Sequence, residues 1–240
     1  MRVVFASWLA FFASISFSAV ADDAVHSPSA FDMLNEAADL AAEHADTRFA
    51  YTVDYWRRKN EEEVSVKVRY DPRLPEGGRW RLVEGALEDL DDDMQDEIKN
   101  LEKRERPDEK LVYDKIGDVI DSVELIEETD AYAVFRGSLI DDGVPEDAIQ
   151  ATFTLNKTTG HVERIEARAL EPFKPAPIAK IKSYYQDQYF APPADGGPAL
   201  LVESDNDVAG KAMFKSFSVR QRRQFSDIEL VDPAEIPSAD

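Results

Sequence analysis

The spacing of hydrophobic residues changes several times along this chain, and each change marks an element. Phe31, Leu34, Ala38, Ala41 and Ala45 recur at three- and four-residue intervals, the period of a helix with one apolar face. Ser29 is a suitable N-cap, with Asp32 three residues on, so the spacing predicts a helix over 30–45. The period then becomes two. Phe49, Tyr51, Val53 and Tyr55 alternate with Ala50, Thr52 and Asp54, and after a short polar link Val64, Val66, Val68 and Tyr70 alternate with Ser65, Lys67 and Arg69. That pattern predicts two strands paired as a hairpin, each with one apolar face. A loop rich in Pro and Gly follows at 71–78, then a third strand with Trp80 and Leu82 on one face.

Helical spacing returns in Leu87, Leu90, Met94, Ile98 and Leu101. Acids come early in this segment, whereas Lys99, Lys103, Arg104 and Arg106 come late, an order that complements a helix macrodipole. A helix is predicted over 85–106, closed by Pro107, and another over 108–122. Strands then resume at 122–128, 131–140, 148–156 and 161–170, with a turn at Gly160 placed for positive φ. The stretch 171–192 opens on prolines at 172, 175 and 177, expected to be a connection, and alternates from Ile178 to Phe190 as a strand. Segments 198–204, 211–219 and 223–231 complete about eleven strands. No strand–helix alternation is present, so the sheet is expected to be antiparallel. The fold class is mainly β with helices (α+β), and no low-complexity linker divides residues 22–240, which read as a single domain.

The first 21 residues have a different character. Met1-Arg2 precede an uncharged stretch from Val3 to Ala21, and Ala19-Val20-Ala21 fits the small-x-small cleavage pattern. This reads as a secretory signal peptide, and with an acidic, cysteine-free body it points to a bacterial periplasm. No later stretch approaches about 20 apolar residues, so no transmembrane segment is expected after cleavage. The chain carries 49 acidic and 28 basic residues, a formal charge of −21, which repels nucleic acid and anionic lipid at long range. With no cysteine there is no disulfide, thiolate metal site, cysteine nucleophile or N-terminal Cys for lipid attachment.

Two acidic stretches resemble calcium loops and fall short. In the acidic run 84–97, the stretch DLDDDMQDE (89–97) has no Gly and the apolar residues keep helical spacing, so a solvated helix face is preferred. In 205–210 (DNDVAG), the ligand positions fall on Ala209 and Ser216, and a turn is preferred. His26, His44 and His161 have no metal-ligand spacing, and no catalytic motif is present. No catalytic residue, metal or cofactor is therefore expected. Arg57, Arg58, Arg220, Arg222 and Arg223 are concentrated on an acidic background. They read either as contacts for an anionic headgroup or partner, or as edge-strand charges that block aggregation. The strand aromatics, Phe49, Tyr51, Tyr55, Trp80, Phe153, Tyr184, Phe214 and Phe217, admit a packed core or a ligand cavity inside a curled sheet. Composition alone favours the core.

The order of elements shifts that balance. A helix, then RFAYTVDYW, then VSVKVRYDPRLPEGGRWRL with Arg69, Pro72 and Trp80 resembles the start of the LolA-like family of periplasmic lipoprotein carriers. The segment ATFTLNKTTGHVERIEARA through IAKIKSYYQ is similar to that family's later hairpin and returning strand. The resemblance covers roughly residues 30–190. The helical segment 85–106 and the extra C-terminal strands depart from it.

The resemblance implies a curved antiparallel half-barrel of about eleven strands, covered by two or three helices, with 30–45 and 86–106 as lids. It implies a carrier or chaperone for a hydrophobic ligand, an acyl chain, lipid or acylated protein. The expected lining is Tyr51, Val53, Tyr55, Val66, Val68, Trp80 and Phe153, in a largely apolar cavity. The other reading is a non-enzymatic interaction or sensor module that docks an envelope protein. Nucleic acid is not an expected partner under either.

Overall fold

The computed structural model describes residues 28–84, 88, 90, 92–101, 111–113, 123–138, 145, 148–192, 197–213 and 215–237. The expected signal segment, most of the segment predicted as a helix over 108–122, His26 and Phe214 lie outside them. The elements are α1 (Ala30–Glu43), β1 (Arg48–Lys59), β2 (Glu62–Tyr70), β3 (Trp80–Glu84) and α2 (Asp92–Leu101). They continue with β4 (Glu124–Glu128), β5 (Tyr132–Ser138), β6 (Ile149–Asn156), β7 (His161–Ala169) and β8 (Phe173–Ala176). The last three are β9 (Ala179–Ala191), β10 (Leu200–Ala212) and β11 (Lys215–Val231).

The described residues form mainly antiparallel sheet with two α-helices, and among them the sheet is not closed. Its strand order is β3-β2-β1-β11-β10-β9-β7-β6-β5-β4, with β8 paired to the first part of β9. Neighbours in space are neighbours in sequence with two exceptions: β7 pairs with β9, bypassing the short β8, and the first strand pairs with β11. Arg48 lies opposite Val231 and Lys59 opposite Val219 in that central pair. The two halves of the sheet join through β1 and β11, while β3 and β4 are its edges among the described residues.

About eleven strands were expected and eleven are found among the described residues, although the segmentation differs. Residues 205–210 are not a turn; they continue β10, and β11 runs unbroken through both segments read as separate strands. Asp205 and Asp207 fit a strand here because Arg222 and Arg220 lie directly opposite them. The additional strand is β8, which carries Pro175. An edge strand tolerates proline because one side of it makes no ladder. At 111–113 the backbone is also not the expected helix, since Val112 forms an antiparallel bridge with Leu200. Leu111, Val112 and Tyr113 are all buried, and that tertiary burial overrides the helical period of the segment.

Helix α1 begins as the sequence indicates. Ser29 Oγ accepts from the Asp32 N–H at 3.2 Å, and Asp32 Oδ2 accepts from the Ser29 N–H at 3.0 Å, a closed capping box. Its buried residues are Ala30, Leu34, Ala37, Ala38 and Ala41. Small side chains let the helix approach the sheet at β7, and Phe31 meets the Phe135 ring edge-on at 5.1 Å between centroids. Beneath it Phe135, Phe153, Leu155 and Val162 are completely enclosed, so this half of the inner face is a solid core.

Candidate functional site

The other half of the inner face is not filled. A cavity of about 350 Å³ lies between the sheet and the α2 side chains Met94 and Ile98, with Leu111 at its border. Its placement follows from strand alternation. Tyr51, Val53 and Tyr55 of β1 share a face with Val68 and Val66 of β2 through the direct pairs Val53–Val68 and Tyr55–Val66. Tyr70 and Trp80 pair at the next edge. Tyr51 packs against the rings of Tyr70, Trp80 and Phe225 at 5.4–5.9 Å. This aromatic cluster forms a rigid apolar wall.

The opposite wall is polar. Gln186 and Gln188 of β9, Ser204 and Asn206 of β10, and Gln221 and Arg223 of β11 all line the cavity. They are in register: Ser204 pairs with Gln188 and Arg223, and Asn206 with Gln186 and Gln221. The Arg223 guanidinium lies over the Tyr55 ring, 5.4 Å from its centroid, so a cation stands at the junction of the two walls. Trp80 is 8% exposed, yet its Nε1–H meets no acceptor among the described residues, and Asn206 Oδ1 is buried without a donor. Buried polar atoms are nearly always hydrogen-bonded, so Trp80 and Asn206 bring to the cavity a donor and an acceptor that the described protein atoms leave unmet.

Of the residues expected to line a cavity, Tyr51, Val53, Tyr55, Val66, Val68 and Trp80 come together here. Phe153 does not: it lies across from Phe135 and Ile165 in the α1-covered half, 1% exposed. The polar wall was not anticipated, and the expected largely apolar lining is therefore corrected to an amphipathic one. A sequence signal for it exists. Along β9 and β10, uncharged polar residues alternate with charged ones, as in Gln186-Asp187-Gln188 and Ser204-Asp205-Asn206-Asp207. On these two strands the charged positions take the outer face and leave the uncharged ones inside, whereas on β11 Arg223 is inside and Gln224 outside.

The five arginines do not form one patch. Arg57 and Arg223 fall on the inner face with Tyr55, and Arg57 is only 7% exposed. Arg58, Arg220 and Arg222 fall on the outer face, where Arg220 and Arg222 border a shallow groove with Asp54, Trp56 and Gln224. The Arg220 guanidinium donates twice to Asp205, at 2.7 and 3.2 Å. Those hydrogen bonds hold the Asp205 carboxyl below its ordinary pKa despite partial burial. Arg222 approaches the same carboxylate at 3.4 Å, and Arg58 approaches Glu63 at 3.9 Å. A similar outer cluster joins Arg164 to Asp187 at 2.7 and 2.8 Å. The outer charges thus neutralise one another across strands, whereas Arg223 borders the open space inside.

Among the described residues no cluster of three His, Asp or Glu is arranged to hold a metal ion, and no helix is long and apolar enough to cross a membrane. No protein-family model, curated protein or solved structure matches the chain.

Proposed function

We propose that this protein is a periplasmic carrier or chaperone that holds one amphiphilic molecule between α2 and the inner face of a curved half-barrel lidded by α1 and α2. The observation that carries this reading is the two-sided cavity, apolar on β1–β3 and polar on β9–β11. An acyl chain lies along Tyr51, Val53, Val66, Val68 and Trp80, each buried CH₂ contributing about 0.8 kcal/mol. The polar end meets the amides of Gln186, Gln188 and Asn206, and a negative headgroup meets Arg223. The volume of about 350 Å³ is near the lower limit of ligand pockets, roughly 300–1,000 Å³. One chain or one small amphiphile fits that size better than a multiply acylated anchor. This ligand class agrees with the resemblance to LolA-like carriers.

Titration with a fluorescent single-chain fatty acid tests the reading. Saturable uptake is expected, reduced by Val68→Phe, which fills the apolar wall. Arg223→Gln should weaken uptake of the carboxylate more than that of the matching fatty alcohol. No saturable uptake, or uptake indifferent to both substitutions, would overturn it.

A further inference from the structure

A second feature lies outside the cavity, at one end of the sheet. Strand β1 leaves β11 at Lys59–Val219, and β7 leaves β9 at Arg168–Tyr185. Beyond those points β8, β9, β10 and β11 continue together as a four-stranded tongue. Its tip is made by the β8–β9 and β10–β11 turns, which the Met213 N–H joins by donating to the Ile178 carbonyl at 3.0 Å. Ile178 is 66% exposed and Met213 is 70% exposed. They are adjacent apolar side chains at the outermost point.

The surrounding charge is the opposite of the chain's. Lys174, Lys180, Lys182, Lys211 and Lys215 all lie exposed on the tongue, five of the chain's twelve lysines. No Asp or Glu occurs within 172–186 or 208–226. Lys180 and Lys211 are direct cross-strand partners, an arrangement of like charges that destabilises a sheet. None of the five lysines has a carboxylate partner among the described residues. The acids at the root of the tongue are Glu171, Asp187 and Asp207, the last opposite Arg220, and Glu61, Glu62 and Glu63 lie on the neighbouring β1–β2 turn. That turn is level with Ser218, where the Asn60 N–H donates to the Ser218 carbonyl. Met213 is five residues farther out, about 16 Å at strand rise. This exceeds the Debye length of about 8 Å at physiological salt, so the tip is screened from most of the acidic body.

The backbone adds a second observation. Met213 adopts φ 47°, a left-handed conformation that favours glycine. The turn therefore carries an apolar side chain where its own geometry favours none. Lower on the tongue, Gly210 is required, since a Cβ there would meet the Lys180 carbonyl oxygen at 2.5 Å.

We infer that this tongue docks on an anionic phospholipid surface, with its lysines at the headgroups and Ile178 and Met213 inserted between them. Lysines suit that role as flexible point charges whose stems can lie along apolar surface. The long-range repulsion expected from the net charge stands, and the tip acts only at contact distance. The inference does not depend on what the cavity holds.

Vesicle co-sedimentation of the purified protein tests it. Phosphatidylglycerol–phosphatidylcholine vesicles should bind the protein more tightly than phosphatidylcholine alone, with binding falling as salt rises. Lys180→Glu with Lys211→Glu should weaken binding about thirtyfold or more. Met213→Gly should leave thermal stability equal or higher and still weaken binding. Equal binding to neutral vesicles, no binding to anionic ones, or binding unchanged in both variants would overturn the inference. A tip that instead captures an acidic protein while ignoring vesicles would overturn it too. Fatty-acid uptake by the tip variants should remain normal, which separates this test from that of the cavity.

Discussion

The two halves of the inner sheet face are built from the same alternation, yet one is solid and the other hollow. On the β5–β7 side, α1 offers Ala37, Ala38 and Ala41 to the sheet and comes close enough to enclose Phe135, Phe153 and Leu155 completely. On the β1–β2 side, the bulkier Met94 and Ile98 of α2 stand over a floor that changes from apolar to amide within one sheet. Amides cannot be sealed under a hydrocarbon lid without losing hydrogen bonds, so this half does not close as a dry core. The hollow follows from the chemistry of β9–β11 as much as from the shape of the sheet.

The most severe way to break the comparison is truncation. Phe153→Ala should destabilise the protein by about 3–5 kcal/mol in denaturant unfolding. Phe225→Ala should lose less than half of that, since its ring already borders open space. Equal losses would mean that both halves are packed alike.

Enlargement is the next test. Ala151→Leu, placed in the solid half at 0% exposure, should lose about 1–3 kcal/mol through overpacking. Val66→Leu should be far milder because the added methylene enters the cavity.

Smaller still is the outer-face pair. Asp205→Asn should cost up to about 1 kcal/mol near neutral pH, as expected for a partly exposed ion pair. The carboxyl pKa is lowered in the fold, so the pair's contribution is complete above the unfolded value of about 3.9. It is lost as pH falls from there through the folded value. Thermal melts of wild type and Asp205→Asn should therefore converge in acid.

The smallest effect belongs to His161. Burial lowers its pKa, against a weaker opposing pull from Glu163. Its stabilising effect is complete above 6.5 and is lost as pH falls from there through the folded value. His161→Gln should flatten the stability profile just below neutrality.

The apolar wall was legible because β1 and β2 keep a strict period of two with large side chains on one face. Five of its residues, Tyr51, Val53, Tyr55, Val66 and Val68, lie on that pattern, and Trp80 follows from the next strand. Phe153 obeys the same pattern, and no periodicity tells which part of a face a helix will cover. The polar wall was obscured because β10 contains Asp, Asn and Gly, which ordinarily mark turns. Only the arginines opposite, on β11, show why that segment stays extended. Pro175 was read as a connection for the same reason, a local preference that an edge position relaxes.

The pairing of β1 with β11 also sets the order of assembly. The strand that joins the two halves, β11, follows the other ten described strands in the chain, and it must find a partner, β1, that precedes all of them. Contacts of such long sequence separation form slowly. Until they form, β1–β3 and β4–β9 expose unpaired edges, the usual route to aggregation. A chain cut before Lys215 loses the link between both halves of the sheet, so the cavity wall that spans them stands or falls with β11.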